Sequence, residues 1–258
     1  MCPARPGRCL SWQEMLKRFV ADLHIHTCLS PCAEVDMTPL RIVERALAKG
    51  LDMIAISDHN SAENIGVAVE VAAGRGMALL PAMEVTSSEE AHVLAIFGTA
   101  EQAGRMQELV YGSLSGGPGG GWGEQVVVNA RDEVLGFNDR ALFGATGLGL
   151  GDLVREIHAL GGLAVASHVD REAFSVIGQL GFIPEDVEFD ALEVTRPEKK
   201  GSLLSAYMGV PRVCSSDAHR LDDVGRRTTS FYMEEATFEE VARALKGLDG
   251  RSVETGGE

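Results

Sequence analysis

Seven histidines occur in this 258-residue sequence, and six of them fall at an end of a short apolar run. His24 and His26 lie two apart in the run 19–26. Side chains in a strand repeat every second residue, so both imidazoles face the same side. Asp58 and His59 directly follow the run 53–57, Glu84 ends the run 78–83, and His92 opens 92–97. His168 follows 163–167, while Asp217 and His219, again two apart, follow 213–216. Imidazole and carboxylate together suit Zn, Mn or Fe ions, and the number of donors exceeds what one ion uses. Six imidazoles and at least two carboxylates gathered without a counter-charge would be expensive to bury. The seventh, His158, falls inside the helical pattern 151–160 and reads as a structural or surface residue.

Groups spread from residue 24 to residue 219 must be gathered by the fold. A β/α barrel does this, because the carboxyl ends of its parallel strands converge on one rim. Candidate strands at 19–26, 52–57, 78–83, 92–97, 125–128, 163–167, 191–195 and 212–215 alternate with helical patterns, as repeated βα units require. Thr38 and Pro39 supply an N-cap and a first-turn proline. Leu40, Val43, Ala46 and Leu47 then recur on one helical face up to Gly50. Ser61 caps a second helix over 62–73, and 151–160, 200–208 and 238–245 read likewise. The segment 113–123 is rich in glycine but lacks the Gly-Lys-Ser/Thr ending of a phosphate-binding P-loop, so it reads as a surface loop or lid. The expected organisation is an N-terminal extension at 1–19, one barrel domain at 20–249 and a disordered tail at 250–258.

Composition narrows the function. The hydrophobic fraction of 45% supports a sizeable core. A net charge of −15 argues against a general nucleic-acid or anionic-membrane surface, and no apolar run is long enough to span a bilayer. Five cysteines, an odd number, suit reduced thiols in a cytoplasm better than a disulfide framework. An acidic protein should repel a phosphate, and bound metal ions are the usual local remedy.

The segments D-L-H-I-H-T at 22–27, S-D-H-N at 57–60, M-E-V at 83–85, H-V-L at 92–94, S-H-V-D-R at 167–171 and S-D-A-H at 216–219 resemble, in order and spacing, the PHP (polymerase and histidinol phosphatase) family. The resemblance implies a single-domain α/β fold, a distorted, seven-stranded TIM-like barrel. It also implies two or three divalent ions, with Zn, Mn or Fe as candidates, and hydrolysis of a phosphate ester. Carried over by position, His24, His26, Glu84 and Asp217 would hold one ion, with Glu84 bridging. His92, His168 and the other oxygen of Glu84 would hold a second, and His59 and His219 a third. Histidinol-phosphatase-like members complete the third site with a histidine where this chain has Cys32; thiolate binds Zn or Fe, and Glu34 or Asp36 are alternatives. Asp58 is expected to orient His59.

In such a centre a water shared between two ions loses its proton near neutral pH and attacks phosphorus. Arg171 and Arg196 are the candidate cations for holding the phosphate. The expected substrate is a small phosphorylated metabolite or nucleotide, with nucleic acid entering only as a short oligonucleotide. Two rivals are an amidohydrolase-type hydrolase, for which no metal-bridging lysine ends a mid-chain strand, and a non-catalytic PHP module.

Overall fold

Residues 16–114, 123–195 and 204–256 are described by the computed structural model. Seven strands form a nearly closed barrel: β1 (Lys17–Ile25), β2 (Met53–Ile56), β3 (Ala78–Thr86), β4 (His92–Ile96), β7 (Leu163–Ala166), β8 (Ala191–Glu193) and β9 (Arg212–Val213). β1, β2 and β3 run parallel, as do β7, β8 and β9, but β4 is antiparallel to both its neighbours, β3 and β7. The purely parallel arrangement is corrected at this one strand. The reversal explains why His92 opens its apolar run while the other candidate ligands follow theirs: the amino end of β4 lies on the rim with the carboxyl ends of the others.

The barrel closes where the chain beyond β9 returns to β1. Ala218 bridges Ile25 in parallel, with the His26 amide donating to the Ala218 carbonyl at 3.0 Å. β1 is long enough to be shared. Its first half, Lys17 to Ala21, pairs antiparallel with β10 (Thr229–Met233), which in turn pairs with β11 (Ser252–Thr255). The expected disordered tail at 250–258 is corrected at residues 252–255, which form a paired strand. Arg251 fixes its start: it is 2% exposed, donating from Nε to Glu240 at 2.8 Å and from Nη2 to Glu234 at 2.7 Å. The other terminal boundary also moves, because residues 17–19 belong to β1, and residues 1–15 lie outside the described chain.

Side-chain alternation sorts the barrel into two apolar layers. Ala21, Leu23, Met53, Ala55, Leu80, Ala82, Leu94, Ile96, Leu163, Val165, Ala191 and Val213 fill the interior. Val241, Ala244 and Leu245 of α6 (Phe238–Leu245) join that cluster and plug the end away from the rim. The intervening residues, such as Ile54, Ile56, Met83, Val93, Ala164 and Leu192, pack outward with the surrounding helices. These are α1 (Pro39–Ala48), α2 (Ile65–Ala73), α3 (Ala100–Ser113), α4 (Leu150–Ala159) and α5 (Val176–Leu180). α1 starts as its sequence dictates, with the Thr38 hydroxyl accepting from the Arg41 amide and Pro39 opening the first turn.

Several expectations shift. α2 begins after Asn64 and not at Ser61, whose hydroxyl is engaged by Tyr111 at 2.7 Å. The run 125–128 becomes β5 (Val126–Val128), which pairs only with β6 (Val134–Phe137) in a hairpin outside the barrel. Of the expected helix at 200–208, residues 204–207 form a single 3-10 turn and 200–203 lie outside the described residues, as does most of the glycine-rich segment 113–123. No helix among the described residues is long and apolar enough to cross a membrane.

Candidate metal centre

The interior parity of each strand, continued to the rim, delivers the site. Glu84 follows Leu80 and Ala82, His92 precedes Leu94 and Ile96, and Glu193 follows Ala191, all two apart and all inward. β1 breaks this rule. Ala21 and Leu23 point inward, so undisturbed alternation would send His24 and His26 outward. A register shift between Asp22 and Ile25 intervenes, and Ile25 joins the outer layer. A β-bulge re-aims side chains in this way, turning both imidazoles into the barrel. His168 and Asp217, just past their strands, have φ of 31° and 52°, left-handed conformations that are uncommon among non-glycine residues and that cluster at functional sites.

Hydrogen bonds at the back of each ring fix which nitrogen faces the cavity. Nδ1 of His24 lies 3.0 and 3.1 Å from the two oxygens of Glu193, which is fully buried. A carboxylate only accepts, so Nδ1 carries the proton and Nε2 presents its lone pair. For His26 the partner is the Ser30 hydroxyl at 3.0 Å. Ser30 donates its single proton to Asp58 at 2.6 Å and accepts from the His59 amide at 3.2 Å, so His26 must donate from Nδ1. Asp58 therefore steadies His26 through Ser30, and its other contacts are the Thr27 amide and hydroxyl. The expectation that it orients the His59 ring is corrected. His219 donates from Nδ1 to the Asp217 carbonyl at 2.9 Å, again freeing Nε2.

The freed atoms converge. His24 Nε2 lies 3.1 Å from His26 Nε2, 3.3 Å from Glu84 Oε1 and 3.3 Å from Asp217 Oδ1, and His26 Nε2 is 3.2 Å from that same oxygen. Ligands about 2.1 Å from a tetrahedral ion stand about 3.4 Å apart, so this spacing suits a shared cation. His92 Nδ1 and His168 Nε2 approach Glu84 Oε1 at 3.1 and 3.3 Å, while His59 Nδ1 approaches Oε2 at 3.1 Å. Yet Glu84 Oε1, His59 Nδ1 and His92 Nδ1 are buried without a hydrogen-bond partner. Leaving such groups unpaired costs about 1–3 kcal/mol each, and a coordinated ion removes that cost. The donor groups His24/His26/Glu84, His59/Glu84/His92 and His26/His59/His219 each lie within 4.8 Å and share His26, His59 and Glu84, whereas the expected ligand sets share Glu84 alone.

Charge tells the same story. Burial disfavours a charged His24, but Glu193, Glu84 and Asp217 outweigh it and push its pKa well above the usual imidazole value, so the carboxylates draw a positive charge, a proton or a metal ion, to the Nε2 side of the ring. Burial likewise opposes ionisation of Glu84, and His92, His24 and His168 hold it well below the usual carboxylate range. Asp217 is also held low against burial, by His24 and His26. The carboxylates stay ionised and call for positive charge at the point where the lone pairs meet, which fits divalent ions.

Cys32 is exposed at the loop surface, but its thiol meets His219 and His59. Burial raises its pKa, yet the neighbouring His219 and His59 rings outweigh that and bring it down to about 6. Its competitors are engaged elsewhere. Glu34 pairs with Arg220 at 2.7 Å, Asp36 with Arg41 at 3.5 Å, and the buried Cys28 thiol faces the Val126 carbonyl. Arg171 reaches the centre, with Nη1 2.5 Å from Asp217 Oδ2. Arg196 lies outside the described residues. His158 is remote, pairing with Asp190 at 2.8 Å beside the amino ends of β7 and β8. Sequence reasoning missed Glu193 and Ser30, although a glutamate in the interior register of an apolar strand was a readable signal for the first. A cavity of about 240 Å³ opens over the cluster, lined by His59, Glu84, His92, His168, Arg171, Ala173, Phe174, Asp217 and His219.

Residues 203–248 match the family model described as PHP-associated. This match supports a PHP-family domain. Over 77 residues the chain is 34% identical to a 3′,5′-nucleoside bisphosphate phosphatase from Chromobacterium violaceum, covering 30% of this chain and 26% of that protein. It is 25% identical over 271 residues to the uncharacterized protein YqxK of Bacillus subtilis, covering 92% of this chain and 64% of the relative. In fold it is similar to a lesion-specific endonuclease from Pyrococcus furiosus, with a TM-score of 0.73 and 21% identity, covering 92% of this chain and 58% of the endonuclease. The chain thus spans less than two thirds of the length of these relatives.

Proposed function

We propose that this chain is a metal-dependent phosphoesterase that hydrolyses the phosphate ester of a small phosphorylated metabolite or nucleotide. The observation that supports this most is the convergence of six imidazoles with Glu84 and Asp217, four of the rings lining an open cavity and His24 and His26 buried behind it, with buried side-chain atoms left without a hydrogen-bond partner. His24, His26, Glu84 and Asp217 would hold one ion, His92 and His168 with Glu84 a second, and His59, His219 and Cys32 a third. Bound Zn, Mn or Fe supplies Lewis acidity, lowering the pKa of a water toward neutrality and offsetting the charge on phosphate.

The chain's own residues do the positioning. Glu84 offers one oxygen to the His24/His92 side and the other to His59, so neighbouring ions would act on one phosphate. Glu193 and Ser30 hold His24 and His26 in the tautomers that face the cavity. Arg171 stands on the cavity wall, and its N–H groups not spent on Asp217 are available to phosphate oxygens. In an acidic protein these cationic features concentrate at one point. Relatives acting on a nucleoside bisphosphate and on damaged DNA keep nucleotides and short oligonucleotides among the candidate substrates.

The test is a screen of phosphate esters, including a generic aryl phosphate, on protein reconstituted with Mn or Zn. Turnover that is lost on chelation and in Glu84→Gln is the expected result. Protein that binds two or more ions but turns over none of the esters would instead be a non-catalytic PHP module, and turnover of amides alone would make it an amidohydrolase.

A further inference from the structure

Phe174 occupies an unusual position for a large apolar residue. It is 46% exposed at the mouth of the cavity and has φ of 56°. For a bulky side chain that left-handed conformation is strained, and it persists only where the surroundings fix it. They do so here. The His92 amide donates to the Phe174 carbonyl at 2.8 Å, and the phenyl ring stacks on the His92 imidazole, centroids 4.9 Å apart and planes 15° apart. On either side, the Arg171 amide closes a turn on the His168 carbonyl and Ser175 Oγ donates to the Arg171 carbonyl at 2.6 Å. A Cβ added at Gly178 would lie 2.1 Å from the Glu172 carbonyl oxygen, so α5 packs tightly under the loop.

The cavity is also small. At about 240 Å³ it falls below the roughly 300–1,000 Å³ of pockets that enclose a whole organic ligand. It takes a phosphate, and the rest of an ester must lie at the mouth, where the half-exposed phenyl ring is waiting.

Resting on the phosphoesterase reading above, we infer that Phe174 is the stacking platform for a planar leaving group, so that the preferred substrates are nucleotides or nucleotide ends and not aliphatic phosphates. Phosphate would sit by Arg171 and the ligand cluster, with the base lying against Phe174.

The test compares adenosine 5′-monophosphate with glycerol phosphate on the metal-loaded full chain, in wild type, Phe174→Ala and Phe174→Tyr. KM and kcat are measured for each ester, and equilibrium binding of each is measured by calorimetry. Base–aromatic stacking is worth about 1–3 kcal/mol, so Phe174→Ala should weaken nucleotide KM and binding by about 5- to 150-fold with kcat little changed. Phe174→Tyr should restore both, and glycerol phosphate should be indifferent to either change. Equal effects on the two esters, as loss of metal through His92 would produce, overturn the inference, and so does no effect on the nucleotide. If neither ester is hydrolysed, the phosphoesterase reading fails, and calorimetry alone then decides whether Phe174 selects the nucleotide.

Discussion

Replacing Glu193 by Gln should weaken metal binding about 30-fold without unfolding the barrel. The carboxylate is fully buried, accepts from His24 Nδ1 and also accepts from the His168 amide at 3.0 Å. Glutamine keeps the volume and one acceptor oxygen but removes the charge. Hydrogen bonds to a charged partner contribute about 1.5–3 kcal/mol, against about 0.5–1.5 for neutral ones. A loss of about 1 kcal/mol on each of two bonds gives about 2 kcal/mol, or about 30-fold in affinity. That falls inside the 10–100-fold range known for partners that hold a metal-binding histidine. Chelator competition on purified variants reads the affinity, circular dichroism reads the fold, and His158→Gln is the control at the far end of the barrel. A well-folded Glu193→Gln that binds metal within about twofold of wild type would refute the reasoning, whose magnitudes come from the same bond energies.

Glu84→Gln should lose more than one ion per chain by elemental analysis, because Glu84 faces His24, His59, His92 and His168 at once, whereas His158→Gln should lose none. Cys32→Ser should cost one ion and Cys32→His should recover it; unchanged metal content in the serine variant would leave Cys32 as a packing residue. Chelation should lower the thermal midpoint, because an ion present at about 1,000 times its Kd contributes about 4 kcal/mol, worth roughly 8–16 °C in a chain of this size. A midpoint indifferent to chelator would contradict a bound, folding-linked metal.

The sequence made the ligand types legible because paired His-x-His and Asp-x-His patterns stand beside apolar runs, which few other roles require. It did not reveal the bulge in β1. The pairing of His24 with His26 reads the same with or without a register shift, and only the neighbouring strand exposes it. The reversal of β4 was hidden for a similar reason, since an apolar run has no direction. β11 escaped because Ser252–Thr255 has no apolar stripe and owes its place to pairing with β10 and to the ion pairs of Arg251. α3, by contrast, was readable: Thr99 and Gln102 form a reciprocal capping box at its start. The role of Phe174 had no sequence signal, because exposure and a left-handed backbone are properties of the loop.

The closure of the barrel at Ala218 has a mechanical consequence. His26 and Asp217 stand 191 positions apart, yet they approach to 3.2 Å beside the bridge that joins β1 to the chain beyond β9. An ion held between them would tie the first strand to the last, in the manner of a crosslink. The entropy lost in closing so long a loop rises only slowly with its length, so one coordinate bond set can restrain nearly the whole chain. Opening the barrel would then require releasing that ion, and the lifetime of the folded state would follow the rate at which the ion leaves.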